Sequence, residues 1–137
     1  MQAETSRIDE LLECLVFLTR FYGVPNSQDA LTTGLPLVSG RLSTALFSRA
    51  AERGGLSARE VIQPLEQISP LLLPCVLQTR HGGACILLEW SKDRSQAKVI
   101  FPQAGDAAQW VSTAQLGDEY NGRLFFVKKQ FKFDERS

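Results

Sequence analysis

One stretch constrains this chain more than any other: Ser6 to Gly23, SRIDELLECLVFLTRFYG. Ser6 is a candidate N-cap, and Gly23 offers the left-handed position that ends a helix. On a helical wheel Ile8, Leu11, Leu12, Leu15, Val16, Leu18 and Tyr22 form one broad apolar arc. Cys14, Phe17 and Phe21 widen it, leaving Asp9, Glu13 and Arg20 as a narrow polar stripe. A helix apolar over most of its circumference belongs inside a domain, wrapped by other elements.

Around that helix the rest of the chain divides in two. Ser27 caps a short helix to Thr33, stopped by Gly34, and a third helix runs from about Arg41 to Arg53, ended by Gly54-Gly55. Strand patterns then take over. Ser57-Ala58-Arg59-Glu60 has the pattern of a capping box opening a helix, while Pro64 would interrupt any long one, which leaves a short strand over Ala58–Gln63 as the other reading. Pro70–Leu77 and Ala84–Trp90 flank the turn Thr79–Gly83 as a hairpin, Ala97–Phe101 follows a polar turn, and Leu124–Lys128 closes the sheet. Gln109–Val111 is one more short strand, and Ser112 with Gln115 forms a capping-box pattern for a brief helix over Ala114–Tyr120. Helices first and an antiparallel sheet second make an α+β fold.

Composition agrees with a single domain. A chain of 137 residues buries roughly 68% of its unfolded surface, and 44% hydrophobic content furnishes a core without metals or disulfides. The net charge of zero points away from nucleic acid and from a polybasic membrane patch. Cys14, Cys75 and Cys85 are an odd set in apolar segments without paired metal-ligand spacing, as expected of buried thiols in a reducing compartment. With one histidine, zinc is not expected, and no cofactor motif is present. No stretch reaches the length of a membrane span, and the N-terminus lacks a signal-peptide pattern.

The helix resembles the active-site helix in the N-terminal domain of bacterial ABC exporters that process leader peptides, a papain-like cysteine peptidase fold. Those peptidases read Asp-Cys-Gly, then Cys-Leu, then Tyr-Tyr-Gly. Aligning Cys14-Leu15 and Phe21-Tyr22-Gly23 on that pattern puts Asp9 on the family's Asp and Glu10 on its nucleophilic Cys. The similarity continues through Leu31-Thr32-Thr33-Gly34-Leu35-Pro36, Arg49-Ala50-Ala51, Gly55-Leu56-Ser57-Ala58 and Leu73-Pro74. It is to the degenerate branch of the family, found on exporters of large repeat-containing adhesins and toxins. The resemblance implies a peptidase-like domain over residues 1–130 and a tail, 131–137, leading towards a transmembrane region.

A thiol protease needs a thiolate, a histidine base, a group to orient it and an oxyanion donor. By the resemblance the family's His falls on Ala84 and its Asp on Phe101, while its oxyanion glutamine falls on Glu4, with Gln2 nearby. Nucleophile, base and orienter are thus absent from Glu10, Ala84 and Phe101, and the domain reads as a dead peptidase. Cys14, one turn further along, and His81, in the polar turn before Ala84, are the residues a live enzyme would have to use. Each has an ordinary reading beside it: a buried thiol on an apolar face and an exposed turn histidine.

What remains is binding. The resemblance implies a cytoplasmic domain at the bacterial inner membrane that recruits or positions an unfolded secreted substrate for the rest of the transporter. Such cargo has glycine-rich repeats that fold on calcium and stay extended without it. Phe21 and Tyr22 align with an aromatic pair of the non-cleaving relatives' binding surface, and Gln78 stands where those relatives carry a tryptophan. For Phe21, Tyr22 and Trp90 the competing reading is core packing. The competing functions are a thiol peptidase using Cys14 and a purely structural module within the transporter.

Overall fold

The computed structural model describes residues 8–131. Ser6, Gln2, Glu4 and the tail 132–137 lie outside them. The long apolar segment forms α1 (Glu10–Phe21), and its cap is Asp9, whose carboxylate accepts the Leu12 N–H at 3.2 Å. Ile8 lies outside the helix, so the helix starts later than a Ser6 cap requires; an Asp at this place satisfies an otherwise orphan N–H equally well. At the other end Gly23 takes φ +79°, the Gly23 N–H bonds the Arg20 carbonyl, and the Val24 N–H reaches back to Thr19. That reciprocal pair is the Schellman closure, and it needs a residue tolerant of positive φ.

Two further helices follow, α2 (Gln28–Thr32), capped by Ser27, and α3 (Thr44–Arg53). The third helix starts later than Arg41, because Val38 and Arg41 bridge across a tight turn whose central residues, Ser39 and Gly40, have φ +55° and +75°. A chain in that conformation is not helical, and Ser43 becomes the residue before the first turn.

The strands are β1 (Leu56–Ile62), β2 (Cys75–Thr79), β3 (Ala84–Trp90), β4 (Gln96–Ile100), β5 (Ala108–Ser112) and β6 (Tyr120–Lys129), with α4 (Thr113–Glu119) before the last. They form one antiparallel sheet in the order β1-β6-β2-β3-β4-β5. The α+β architecture expected from the helix-then-strand pattern is therefore the one observed. Two details differ. Residues Pro70–Leu72 make a 3-10 turn capped by Ser69 rather than the start of a strand, and β2 begins only at Cys75; Pro70 and Pro74 have no N–H to give a ladder. The strand expected to close the sheet is longer and interior, paired to β1 on one side and β2 on the other.

Alternation along the strands sends side chains to two separate cores. Val76, Ala84, Ile86, Ile100, Phe125 and Val127 face the three N-terminal helices, where they meet Leu11, Leu15, Leu18 and Phe47. Phe47 stacks on Phe125 with ring centroids 4.2 Å apart. Cys75, Leu77, Cys85, Leu87, Val99 and Leu124 face the other way, under Leu65, Ile68, Leu116 and Tyr120. This sandwich presses α1 against β3 and so brings the first turn of the helix to the start of that strand.

Candidate functional site

Glu10 is the first residue of α1, yet it is buried, at 7% exposure. Its Oε1 accepts the Ala84 N–H at 2.9 Å, and its Oε2 accepts the side-chain amide of Gln103. The Nε2 of His81 lies 3.5 Å from Oε1, an ion-pair distance once the ring is protonated. Ala84 opens β3, His81 sits in the turn before it, and Gln103 belongs to the 3-10 turn Pro102–Ala104 after β4. Three distant parts of the chain thus meet on one carboxylate.

The hairpin turn is shaped for this. Thr79 Oγ1 accepts the Gly83 N–H at 3.0 Å and lies 3.4 Å from His81 Nε2. Gly83 passes so close to Glu10 that a β-carbon there would stand 1.9 Å from Oε1 and 2.8 Å from His81 Nε2. The backbone of Ala84 serves the carboxylate while its methyl is buried in the helix-side core. Phe101 is half-buried, packed against the other core. The next carboxylate, Asp9, is committed twice, to Leu12 and to the Leu42 N–H at 2.7 Å. A cleft of about 200 Å³ opens beside these groups, lined by Asp9, Glu10, Arg41, Gln78 and Asn121. A second cavity of about 150 Å³ touches Glu10, His81, Phe101, Gln103 and Glu119.

Cys14 lies outside this cluster. It is fully buried and lines neither cavity. Burial raises its thiol pKa well above the ordinary value, and the charge of Cys85 and then of Glu10 adds to that. A thiol so placed stays protonated and is a poor nucleophile. His81 lies against Glu10. Cys75 is pushed up in the same direction by desolvation, and Cys85 to about 12.

The three binding candidates fall at two ends of α1. Gln78 is buried, donates to Glu60 Oε2 at 2.8 Å and lines the cleft at the N-terminal end. Phe21 and Tyr22 lie at the other end, roughly 18 Å along a 12-residue helix. Phe21 is 52% exposed and meets the Tyr22 ring edge-on at 5.1 Å. Tyr22 donates its hydroxyl to the Val127 carbonyl at 2.9 Å, and its ring lines a groove of about 460 Å³ with Arg59, Leu71, Leu72 and Phe126. Leu71 there is 91% exposed. Trp90 is half-buried, its Nε1 donating to the Ile68 carbonyl.

Sequence reasoning missed Gln103, the Glu10–His81 contact and the exposed Leu71-Leu72 step. The one available signal was Gly82-Gly83 before Ala84, legible as a turn and silent about what it packs against. Among the described residues no group of His, Cys, Asp and Glu is placed to hold a metal ion, and no helix is long and apolar enough to cross a membrane.

Neither a family model nor a curated protein matches the sequence. Solved structures do. The chain is similar to the N-terminal peptidase C39 like domain of the toxin secretion ATP-binding protein from Vibrio parahaemolyticus. The identity is 40%, over 91% of this chain and 100% of that one, at a TM-score of 0.87. The peptidase domain of Streptococcus ComA, a bi-functional ABC transporter involved in quorum sensing, superposes at a TM-score of 0.76. It is 17% identical over 94% of this chain and 96% of its own. A double glycine motif protease from an AMS/PCAT transporter, solved in complex with the leader peptide, gives 0.73 at 12% identity, over 95% and 91%. At such identities the last two matches speak to the fold alone.

Proposed function

Since this chain belongs to the peptidase C39-like N-terminal domains of secretion ABC transporters, we propose that it is a non-cleaving member that recruits or positions an unfolded secreted protein for export. The observation that carries the first half is Glu10. A carboxylate stands where the resemblance puts the nucleophilic thiol, and it is already held by Ala84 and Gln103. No cysteine replaces it, because Cys14, one turn further along the helix, is sealed in the core with its pKa raised. Ala84 and Phe101, at the base and orienter positions, carry no group that moves a proton.

The second half rests on the surface at the far end of α1. Half-buried Tyr22 and the leucines Leu71 and Leu72 border a groove that Arg59 flanks, and exposed Phe21 packs edge-on against the Tyr22 ring. Aromatic side chains offer contact area at low entropic cost, which suits a weak and adaptable grip on an extended chain. In this reading the domain works at the cytoplasmic face of the inner membrane as part of a type I exporter of repeat adhesins or toxins.

The deciding experiment incubates the domain with Gly-Gly leader peptides and with denatured cargo from the same secretion locus. Mass spectrometry reads the products, and NMR titration reads binding. Expected are intact peptides and shifts at Phe21, Tyr22, Leu71 and Leu72. Cleavage that disappears in Cys14→Ala restores the peptidase reading; no shifts with any cargo leave a structural module within the transporter.

A further inference from the structure

Two hydrogen-bond donors from separate elements, the Ala84 N–H and the Gln103 amide, converge at the start of α1, and the ring of His81, from the turn before Ala84, lies at ion-pair distance beside them. The N-terminal end of the helix adds its own positive potential. We infer that these groups form a carboxylate-binding cradle and that Glu10 is its tethered occupant. The inference stands apart from whether the domain recruits cargo.

The geometry matches a carboxylate and not merely a polar group. Each oxygen of Glu10 receives its own donor, one from the β3 backbone and one from Gln103. An amide in its place would turn an NH2 towards one of those donors. Burial strengthens each bond and makes an emptied donor costly. The remaining carboxylates nearby do not compete for the donors: Asp9 is spent on Leu12 and Leu42, and Glu119 lies across the 150 Å³ cavity. Gly83 leaves room for the headgroup, since a β-carbon there would overlap it.

Cutting the side chain back at Cβ removes a methylene and a carboxylate, which together have the heavy atoms of acetate. The two cavities that Glu10 lines give acetate a way in. Glu10→Ala therefore converts the closed contact into an open receptor for a small carboxylate.

Thermal unfolding of Glu10→Ala is compared in sodium acetate and in sodium chloride of equal ionic strength. At ten times its dissociation constant, acetate is expected to shift the folding equilibrium roughly tenfold towards the native state. Wild type and Glu10→Ala/Gln103→Ala are expected to show no difference between the two salts. Acetate acting no better than chloride on Glu10→Ala, or equally well on all three proteins, overturns the proposal. Should Glu10→Ala fail to fold, Glu10→Gln serves. Wild type and Glu10→Gln are compared by NMR at one pH, and the Ala84 amide proton and the Gln103 side-chain amide protons are expected to shift together between them. Resonances that coincide in the two proteins overturn the proposal as well.

Discussion

The carboxylate of Glu10 fills the space that a side chain on Gly83 would occupy: a β-carbon built at Gly83 lies 1.9 Å from Oε1 and 2.6 Å from Cδ. Gly83 does not adopt a positive φ, so its lack of a side chain serves packing rather than backbone freedom. Gly83→Ala is expected to destabilise the fold by about 1–3 kcal/mol, the usual range for overpacking. In a Glu10→Ala background the same change is expected to cost less, because the clashing carboxylate is gone. Urea unfolding of the two single variants and the double variant measures the coupling. Additive effects would mean that the two residues do not share the space.

The buried thiols predict a loss of stability in alkali. Cys14, Cys75 and Cys85 all have pKa values raised by desolvation, Cys85 to about 12. Unfolded cysteine loses its proton near pH 8.5. Above that pH the unfolded state binds fewer protons than the native state, so stability is complete below about pH 8.5 and falls as pH rises. Each thiol contributes a slope of about 1.4 kcal/mol per pH unit. Denaturation midpoints between pH 7 and 10 are expected to drop, and Cys85→Ala to lessen the slope. A thiol reagent is expected to label native protein slowly and denatured protein at once.

Tyr22 and Phe21 separate stability from binding. Tyr22→Phe removes the hydroxyl bond to Val127 and is expected to cost about 1 kcal/mol, leaving the aromatic ring on the groove. Phe21→Ala, at a half-exposed position, is expected to change stability less and to weaken cargo binding. A melting curve and an NMR titration on each variant test the pair. The reverse ranking would place the cargo elsewhere on the domain.

Recruitment requires release, so the affinity for unfolded cargo is expected to be micromolar or weaker, about −8 kcal/mol or less in magnitude. Ordering an extended chain lowers it for a given contact area. Calorimetry with a repeat fragment, with and without calcium, is expected to favour the calcium-free form. Equal binding to both forms would remove the argument from chain extension. Shifts confined to Gln78 and the cleft would move the site to the other end of α1.

Much of the architecture was legible because it depends on local pattern. A helix apolar nearly all round has to be wrapped, and the apolar run at Ala84–Trp90 and the strand expected at Ala97–Phe101, observed as Gln96–Ile100, have to pair. Ser27 and Ser112 cap the helices that their sequence contexts announce, because a hydroxyl reaching an N–H two or three residues on is a local bond. Boundaries failed where local options were degenerate. Asp9 served as cap in place of Ser6, and two prolines delayed β2.

The sequence by itself determined which residue types stand at positions 10, 84 and 101, since a carboxylate, a methyl and a phenyl ring have the same chemistry in any fold. Only the tertiary structure decided what Glu10 does. Its partners lie 71, 74 and 93 residues away along the chain, and no local pattern encodes a contact made by pressing α1 onto β3. The same holds for Gln78 and the aromatic pair. Similarity places all three on one list of candidates, but the length of α1 sets them at opposite ends. Burial then gives Gln78 to Glu60 and leaves Phe21 to solvent.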